Sequence, residues 1–225
     1  MKNNDYKMFF ELITKTRRDE RIMDAIIVDG PVGVGKTSLM EILIQEFGYK
    51  AFLEPVTDNP LLDKFYYNRK RYAFPLQIFF LNRRFAMLKE AIGVKGSVMD
   101  RSIYGDVIFA RLLSQGGDME PEEYNLYEEL LANMLEHVQA PKLMIYLQTS
   151  VGDMVKKIKK RGRDYEQVVE LAYWERLNTE YEDYFQSYNV SPILVINVEG
   201  LDFVGNKEDR QQVIKLIKDK LAAIE

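Results

Sequence analysis

An apolar run, Ala25-Ile26-Ile27-Val28, leads into Asp29-Gly30-Pro31-Val32-Gly33-Val34-Gly35-Lys36-Thr37-Ser38 and then into the helical pattern Leu39-Met40-Glu41-Ile42-Leu43-Ile44. No other stretch restricts the fold so strongly, because G-x-x-x-x-G-K-T between a strand and a helix predicts a loop wrapped around phosphate. Gly30, Gly33 and Gly35 let the backbone turn tightly enough for successive N–H groups to face inward, and the helix N-terminus adds its dipole. Lys36 brings a full positive charge to the outer phosphates. Thr37 places a hydroxyl on the first helical turn, within reach of a Mg2+ carried by those phosphates. The loop implies a nucleoside triphosphate and says nothing about its fate.

The chain has 225 residues, 47% of them hydrophobic, enough for one sizeable α/β core and too few for two. A formal net charge of −4 and a pI near 5.3 disfavour a nucleic-acid or anionic-membrane footprint and suit a small anionic ligand. Without cysteine there is no disulfide, thiol nucleophile or cysteine metal site, as befits a reducing cytoplasm. Met1 to Asp5 is charged, and no segment reaches the roughly 18 apolar residues of a membrane helix, so a cytoplasmic protein is expected. The single histidine, His137, falls next to Glu136 in an amphipathic pattern and reads as a surface residue. A general base is therefore sought among the carboxylates.

Residues 6 to 19 carry Met8, Phe9, Leu12 and Ile13 at helical spacing, which predicts an N-terminal helical arm over 1–24, either docked or in contact with a partner. The remainder, 25–225, is expected to form one domain. Tyr49 to Leu53 reads as a second strand broken by Pro55, placing Glu54 at its C-terminal end, where parallel sheets bind ligands. Phe74 to Ile92 is predicted as a long helix, with Gln77 and Arg84 on the same face as the apolar Leu81. Polar groups inside an apolar stripe need partners, and a planar hydrogen-bonding ligand such as a nucleobase supplies them. A short strand then ends in Asp100-Arg101, an acid suited to a Mg2+ shell and a cation suited to Glu54 or to a transferring phosphoryl group.

Glu122 to Val138 is predicted as an amphipathic helix, Leu143 to Leu147 as the fourth strand, and Ser150 with Asp153 as the start of the next helix. That helix runs into Arg161-Gly162-Arg163, two guanidinium groups flanking a flexible glycine, as a lid over phosphates requires. Trp174, Leu177, Tyr181, Tyr184 and Tyr188 read as core. Ile193 to Asn197 is the fifth strand and Lys207 to Ile224 the closing helix. Strands alternating with helices specify a parallel five-stranded sheet covered on both faces, the three-layer P-loop NTPase arrangement.

Taken in order and spacing, these motifs from Ile26 to about Arg210 resemble the deoxyribonucleoside kinase family, most closely its bacterial deoxyadenosine/deoxyguanosine branch. The resemblance implies ATP bound by Gly30 to Ser38, with Lys157, Arg161 and Arg163 in a lid around 157–166 and Asp202-Phe203 near the donor adenine. It implies Glu54 as the base for the sugar 5′-hydroxyl, Asp100 with Thr37 at the Mg2+, and Arg101 on the phosphates. Gln77, Arg84 and Asp106, with Phe109, would hold the base, and Tyr66 with Glu166 the 3′-hydroxyl. The family is typically dimeric through two helices, here including 122–138, so a homodimer or a heterodimer with a related subunit is implied.

Physical chemistry runs beside the resemblance. An ionised Glu54 would repel an acceptor already bearing a 5′-phosphate, so a neutral nucleoside fits better than a monophosphate. The bulk of Arg84 and Asp106 would crowd a 5-methyl group, which disfavours thymidine; adenine, guanine and cytosine stay open on this ground. Competing expectations are a thymidylate-type monophosphate kinase, a regulatory nucleotide-binding subunit, and a GTP-binding switch. For the last, Asn206-Lys207-Glu208-Asp209 and Asp202-Phe203-Val204-Gly205 mimic the required motifs, yet they are contiguous where a switch needs them apart.

Overall fold

The structure, a computed structural model, describes residues 3–16, 21–53, 59–163, 166 and 169–224. Five strands, β1 (Ile22–Asp29), β2 (Lys50–Phe52), β3 (Ser97–Asp100), β4 (Ala140–Gln148) and β5 (Ile193–Asn197), form one parallel sheet in the order β2-β3-β1-β4-β5. The order reverses direction at β1, so a crevice opens beyond the carboxyl ends of β1 and β3. Both faces are covered, and alternate residues of each strand therefore enter different cores. Ile27, Met99, Met144 and Tyr146 pack into one, whereas Ile26, Val28, Val98, Leu143, Ile145 and Leu147 pack into the other. The smaller core is closed by α2 (Lys36–Phe47) and by the C-terminal helix 207–224.

The larger core carries the remaining helices: α1 (Asn3–Thr16), α3 (Leu62–Tyr67), α4 (Arg69–Ala91), α5 (Asp106–Gln115), α6 (Pro121–Leu135), α7 (Val151–Arg161) and α8 (Leu171–Ser187). α9 is the closing helix, Lys207–Ile224. Local chemistry sets the ends. Asn68 accepts the Arg71 N–H at 3.2 Å and starts α4, Glu120 and Glu123 form a reciprocal capping box before α6, and Ser150 accepts the Asp153 N–H at 3.3 Å at the start of α7. Gly162 ends α7 in the left-handed conformation. No helix among the described residues is long and apolar enough to cross a membrane.

Several expectations shift. α4 begins at Arg69 and not at Phe74: Pro75 lies inside the helix, and the cap that starts it is Asn68, one turn and more upstream. α6 stops at Leu135, which leaves His137 exposed in the turn that follows. α5 has no counterpart in the sequence expectations because Val107, Ile108, Ala110, Arg111, Leu112 and Leu113 bury nearly its whole circumference, so no amphipathic stripe marks it. β1 begins at Ile22, so the boundary expected after Asp24 falls inside the strand.

α1 is docked. Tyr6, Phe9, Phe10 and Ile13 are buried against α6 and α8, with Tyr6 and Phe10 packed edge-on or tilted on Tyr184. The Tyr6 hydroxyl donates to Glu180 at 2.7 Å, Arg111 sits 3.3 Å from the same carboxylate, and the Arg111 guanidinium covers the Tyr6 ring at 4.6 Å. Tyr6→Phe removes one donor from a buried carboxylate and is expected to lower unfolding stability by about 1–3 kcal/mol. Chemical denaturation checks this, and a change below about 0.5 kcal/mol, the usual limit for surface substitutions, would show α1 to be a loose passenger.

Candidate active site

The loop after β1 is shaped by what surrounds it. Gly30 has φ 149, and a Cβ there would stand 2.6 Å from the Leu147 carbonyl of β4; Gly35 has φ 107, with Phe203 filling the space at 2.9 Å. Side chains are excluded at both positions by backbone conformation and by packing. α2 starts at Lys36 with no acidic residue in its first turn, so no carboxylate there competes with an anion for the helix N-terminus. The Lys36 ammonium donates to the carbonyls of Gly30 at 2.9 Å and Pro31 at 3.0 Å, which holds the charge across the loop mouth.

Beyond the loop lies a cavity of about 690 Å³. Val32, Gly33, Gly35, Lys36, Thr37 and Ser38 form one wall, and Gly30, Pro31 and Val34 complete the loop behind it. Leu76, Gln77, Phe80 and Arg84 enter from one face of α4, Phe109 and Leu113 from α5, and Leu62, Phe65 and Tyr66 from α3. The lining is thus apolar and aromatic with a few polar groups, as in small-molecule sites generally. Gln77 is 5% exposed and lines the cavity. Arg84 forms a buried ion pair with Asp106, its guanidinium lies 4.9 Å from the Phe80 ring centre, and Asp106 Oδ2 has no partner among the described residues. Asp106 is not on the cavity surface; it stands behind Arg84.

Asp100 closes β3, is 7% exposed, lines the cavity and has an Oδ1 without a hydrogen-bond partner among the described residues. Arg101 is not a strand residue. It has φ 60, the one non-glycine residue among those described with a left-handed backbone, and its N–H donates to Val28 O at 3.0 Å. The guanidinium lies 4.7 Å from the Phe109 ring centre, with Nε 4.0 Å from Asp29 Oδ1. Asp29 is 1% exposed and accepts the Gly30 N–H at 2.7 Å. Burial pushes its carboxyl above the usual range against the pull of Arg101 and Lys36. Backbone strain at such a place is a mark of function more often than of fold.

On the lid side, Lys157 and Arg161 lie one turn apart on α7. Lys157 pairs with Asp153 at 2.7 Å; burial acts to raise the Asp153 carboxyl, but hydrogen bonds from Lys157 and Thr149 outweigh it and hold the group below its usual range. Arg161 donates to Glu166 at 2.5 and 3.3 Å, and Arg163 lies 3.7 Å from the same carboxylate. All four of Lys157, Arg161, Arg163 and Glu166 line the cavity.

Not every candidate residue is placed there. Glu54 lies outside the described residues, although its neighbour Leu53 leaves β2 at the cavity. Asp202 and Phe203 do not line the cavity: Asp202 accepts the Gly205 N–H at 2.8 Å and shapes its own turn, and Phe203 backs Gly35 from the smaller core. Asn206 caps α9 by accepting the Glu208 and Asp209 N–H groups at 2.8 and 3.2 Å, which accounts for the motif that mimics a GTP switch. Sequence reasoning missed Asp29, hidden in plain view at the head of the loop motif, and Tyr173, a cavity residue beside the core Trp174.

A family model described as Deoxynucleoside kinase matches residues 26–222. The chain is 40% identical over 212 residues to a deoxyadenosine kinase of Lactobacillus acidophilus, covering 90% of this chain and 99% of the relative. It is 41% identical over 208 residues to a deoxyguanosine kinase of Lactobacillus johnsonii, covering 88% and 93%. The fold is similar to a solved structure of deoxyadenosine kinase from M. mycoides with the products dCMP and a flexible dCDP bound, at TM-score 0.77 and 32% identity over 88% of this chain and 99% of that one.

Proposed function

Because this chain belongs to the deoxynucleoside kinase family, we propose that it moves the γ-phosphoryl group of ATP to the 5′-hydroxyl of deoxyadenosine or deoxyguanosine and also accepts deoxycytidine. The observation that carries this is one cavity lined at once by the phosphate loop with its lid cations and by the Gln77, Arg84 and Phe109 set. A deoxynucleoside needs the second and a triphosphate the first. The relatives point the same way on the base: two are named for purine deoxynucleosides, and the M. mycoides enzyme holds a cytosine product.

In this scheme the 5′-oxygen forms a bond to the γ-phosphorus as the bridging oxygen departs with ADP, and Glu54 takes the hydroxyl proton. Lys36, Arg101 and the lid residues Lys157, Arg161 and Arg163 hold the equatorial oxygens and offset the charge they carry in the transition state. Gln77 reads the base edge, Arg84 and Asp106 set its polarity from below, and Phe109 covers its face. Tyr66 and Glu166 hold the 3′-hydroxyl. The donor set at the loop fits Mg2+: a hydroxyl on Thr37 and a nearly buried oxygen on Asp100 with no partner among the described residues, both hard ligands in an ion shell that phosphates and water would complete. When bound, Mg2+ supplies neutralisation of the β- and γ-phosphates, with Thr37 and Asp100 as its protein contacts. We also propose a cytoplasmic dimer paired through the α6 face, where Leu126 is 56% exposed.

The test is a matrix of acceptors with Mg·ATP: four deoxynucleosides, their monophosphates, and none. Phosphorylation of deoxyadenosine and deoxyguanosine is expected, with deoxycytidine slower and thymidine lowest. Turnover confined to monophosphates, or hydrolysis that ignores the acceptor, would overturn the assignment. Sedimentation at micromolar concentration reports the dimer, and a monomer there removes it.

A further inference from the structure

Asp29 belongs to neither the phosphate loop's anion site nor the base-binding set, and it stands behind the cavity wall without lining it. Its Oδ1 accepts the Gly30 N–H at 2.7 Å and the Tyr181 hydroxyl at 3.4 Å, and forms an ion pair with Arg101, whose Nε lies 4.0 Å away. Its Oδ2 has no hydrogen-bond partner among the described residues and lies 2.4 Å from where a Cβ of residue 105 would stand. Gly105 has φ −85, a conformation open to any residue, so the backbone does not call for glycine there. The carboxylate does. At Arg101 the situation is reversed: φ 60 favours glycine, yet the chain has arginine. The two exceptions meet at the Asp29 side chain.

Resting on the role proposed above for Arg101, we infer that Asp29 is its positioning residue: the carboxylate, admitted by the absent side chain at Gly105, fixes the guanidinium against Phe109 on the cavity wall. A purely structural occupant would be neutral, because an uncompensated carboxylate oxygen costs free energy in such a place and an amide keeps the acceptor for Gly30. Retention of the charge is what a positioning role requires and what packing does not. Tyr181 and Gly30 hold the other side of Oδ1, so the carboxylate is itself fixed and transmits that order to Arg101.

Asp29→Asn is the direct test, with deoxyadenosine and Mg·ATP as substrates. Loss of alignment predicts a fall in kcat of about 10- to 100-fold, KM values within about twofold, and a thermal midpoint no lower than that of the parent chain. Gly105→Ala approaches the same point from the other side: its Cβ displaces the carboxylate, so it reproduces the kcat loss alone and adds nothing in an Asp29→Ala background. It also decides the matter should Asp29→Asn fail to fold. In an Arg101→Lys background Asp29→Asn is expected to add less than about twofold. An unchanged kcat in Asp29→Asn, losses that multiply with those of Arg101→Lys, or a kcat loss that tracks a lowered thermal midpoint would each overturn the inference. The two levels separate cleanly. If Arg101→Lys itself retains full kcat, the role of Arg101 falls; if it loses activity while Asp29→Asn does not, only the role of Asp29 falls.

Discussion

Glu54→Gln is expected to lower kcat on deoxyadenosine by about 10^2- to 10^4-fold while Mg·ATP binds as before. The amide keeps the size and one hydrogen-bonding oxygen of the side chain but cannot take a proton from the 5′-hydroxyl. In the proposed scheme the donor is held elsewhere, by Gly33, Lys36, Thr37, Arg161 and Arg163, which line the cavity from the loop and from the segment around α7. Leu53, the residue before Glu54, lies on the cavity wall just after β2. Rapid-quench measurement of the chemical step beside equilibrium binding of a fluorescent ATP analogue separates the two quantities. A rate within about twofold of the parent, far short of what a positioned base contributes, would remove Glu54 as the base and return the assignment to the other carboxylates.

Asp106→Ala should do damage of a different kind. Arg84 is 3% exposed, and Asp106 supplies its buried counter-charge. Taking away one member of such a pair leaves a desolvated cation, and the expected cost to unfolding stability is about 3–5 kcal/mol. On the proposed role of Arg84 at the base, the KM for the deoxynucleoside should rise with it, because the partly released guanidinium would lose its fixed orientation. A double change, Arg84→Met with Asp106→Leu, should recover most of the stability and none of the base affinity, since it removes the orphaned charge without restoring the recognition. Urea denaturation and acceptor titrations read both effects. Stability lost by less than about 1 kcal/mol in Asp106→Ala would place the pair in the solvent-screened regime and contradict its burial.

What could be foreseen from the residues follows from how each feature advertises itself. The strands are continuous apolar runs flanked by turn residues, and Ile193–Asn197 ends where its pattern does; α9 likewise spans Lys207–Ile224, as its single apolar face predicts. α5 leaves no such trace because it is buried on nearly every side, and α4 starts upstream of its apolar stripe because the cap is Asn68. At the site, Gln77 and Arg84 were suspicious as polar residues within an apolar stripe. Their burial supports that suspicion, but the ion pair joining Arg84 to Asp106, 22 positions away, is tertiary and has no local signature. The left-handed backbone of Arg101 was hidden for the same reason: it is imposed by the end of β3 meeting β1, where the Arg101 N–H finds Val28 O.

The glycines of the phosphate loop are wedged against fixed neighbours, Gly30 against the carbonyl of Leu147 and Gly35 against the ring of Phe203. A loop clamped in this way behaves as an anvil: it is cast before the nucleotide arrives and has little room to yield. On the proposed lid role, traffic in and out falls to the opposite bank, where Arg161 and Arg163 gather on the Glu166 carboxylate. With saturating ADP, amide hydrogen exchange should slow in the segment 157–166, and an unchanged rate there would remove the proposed lid.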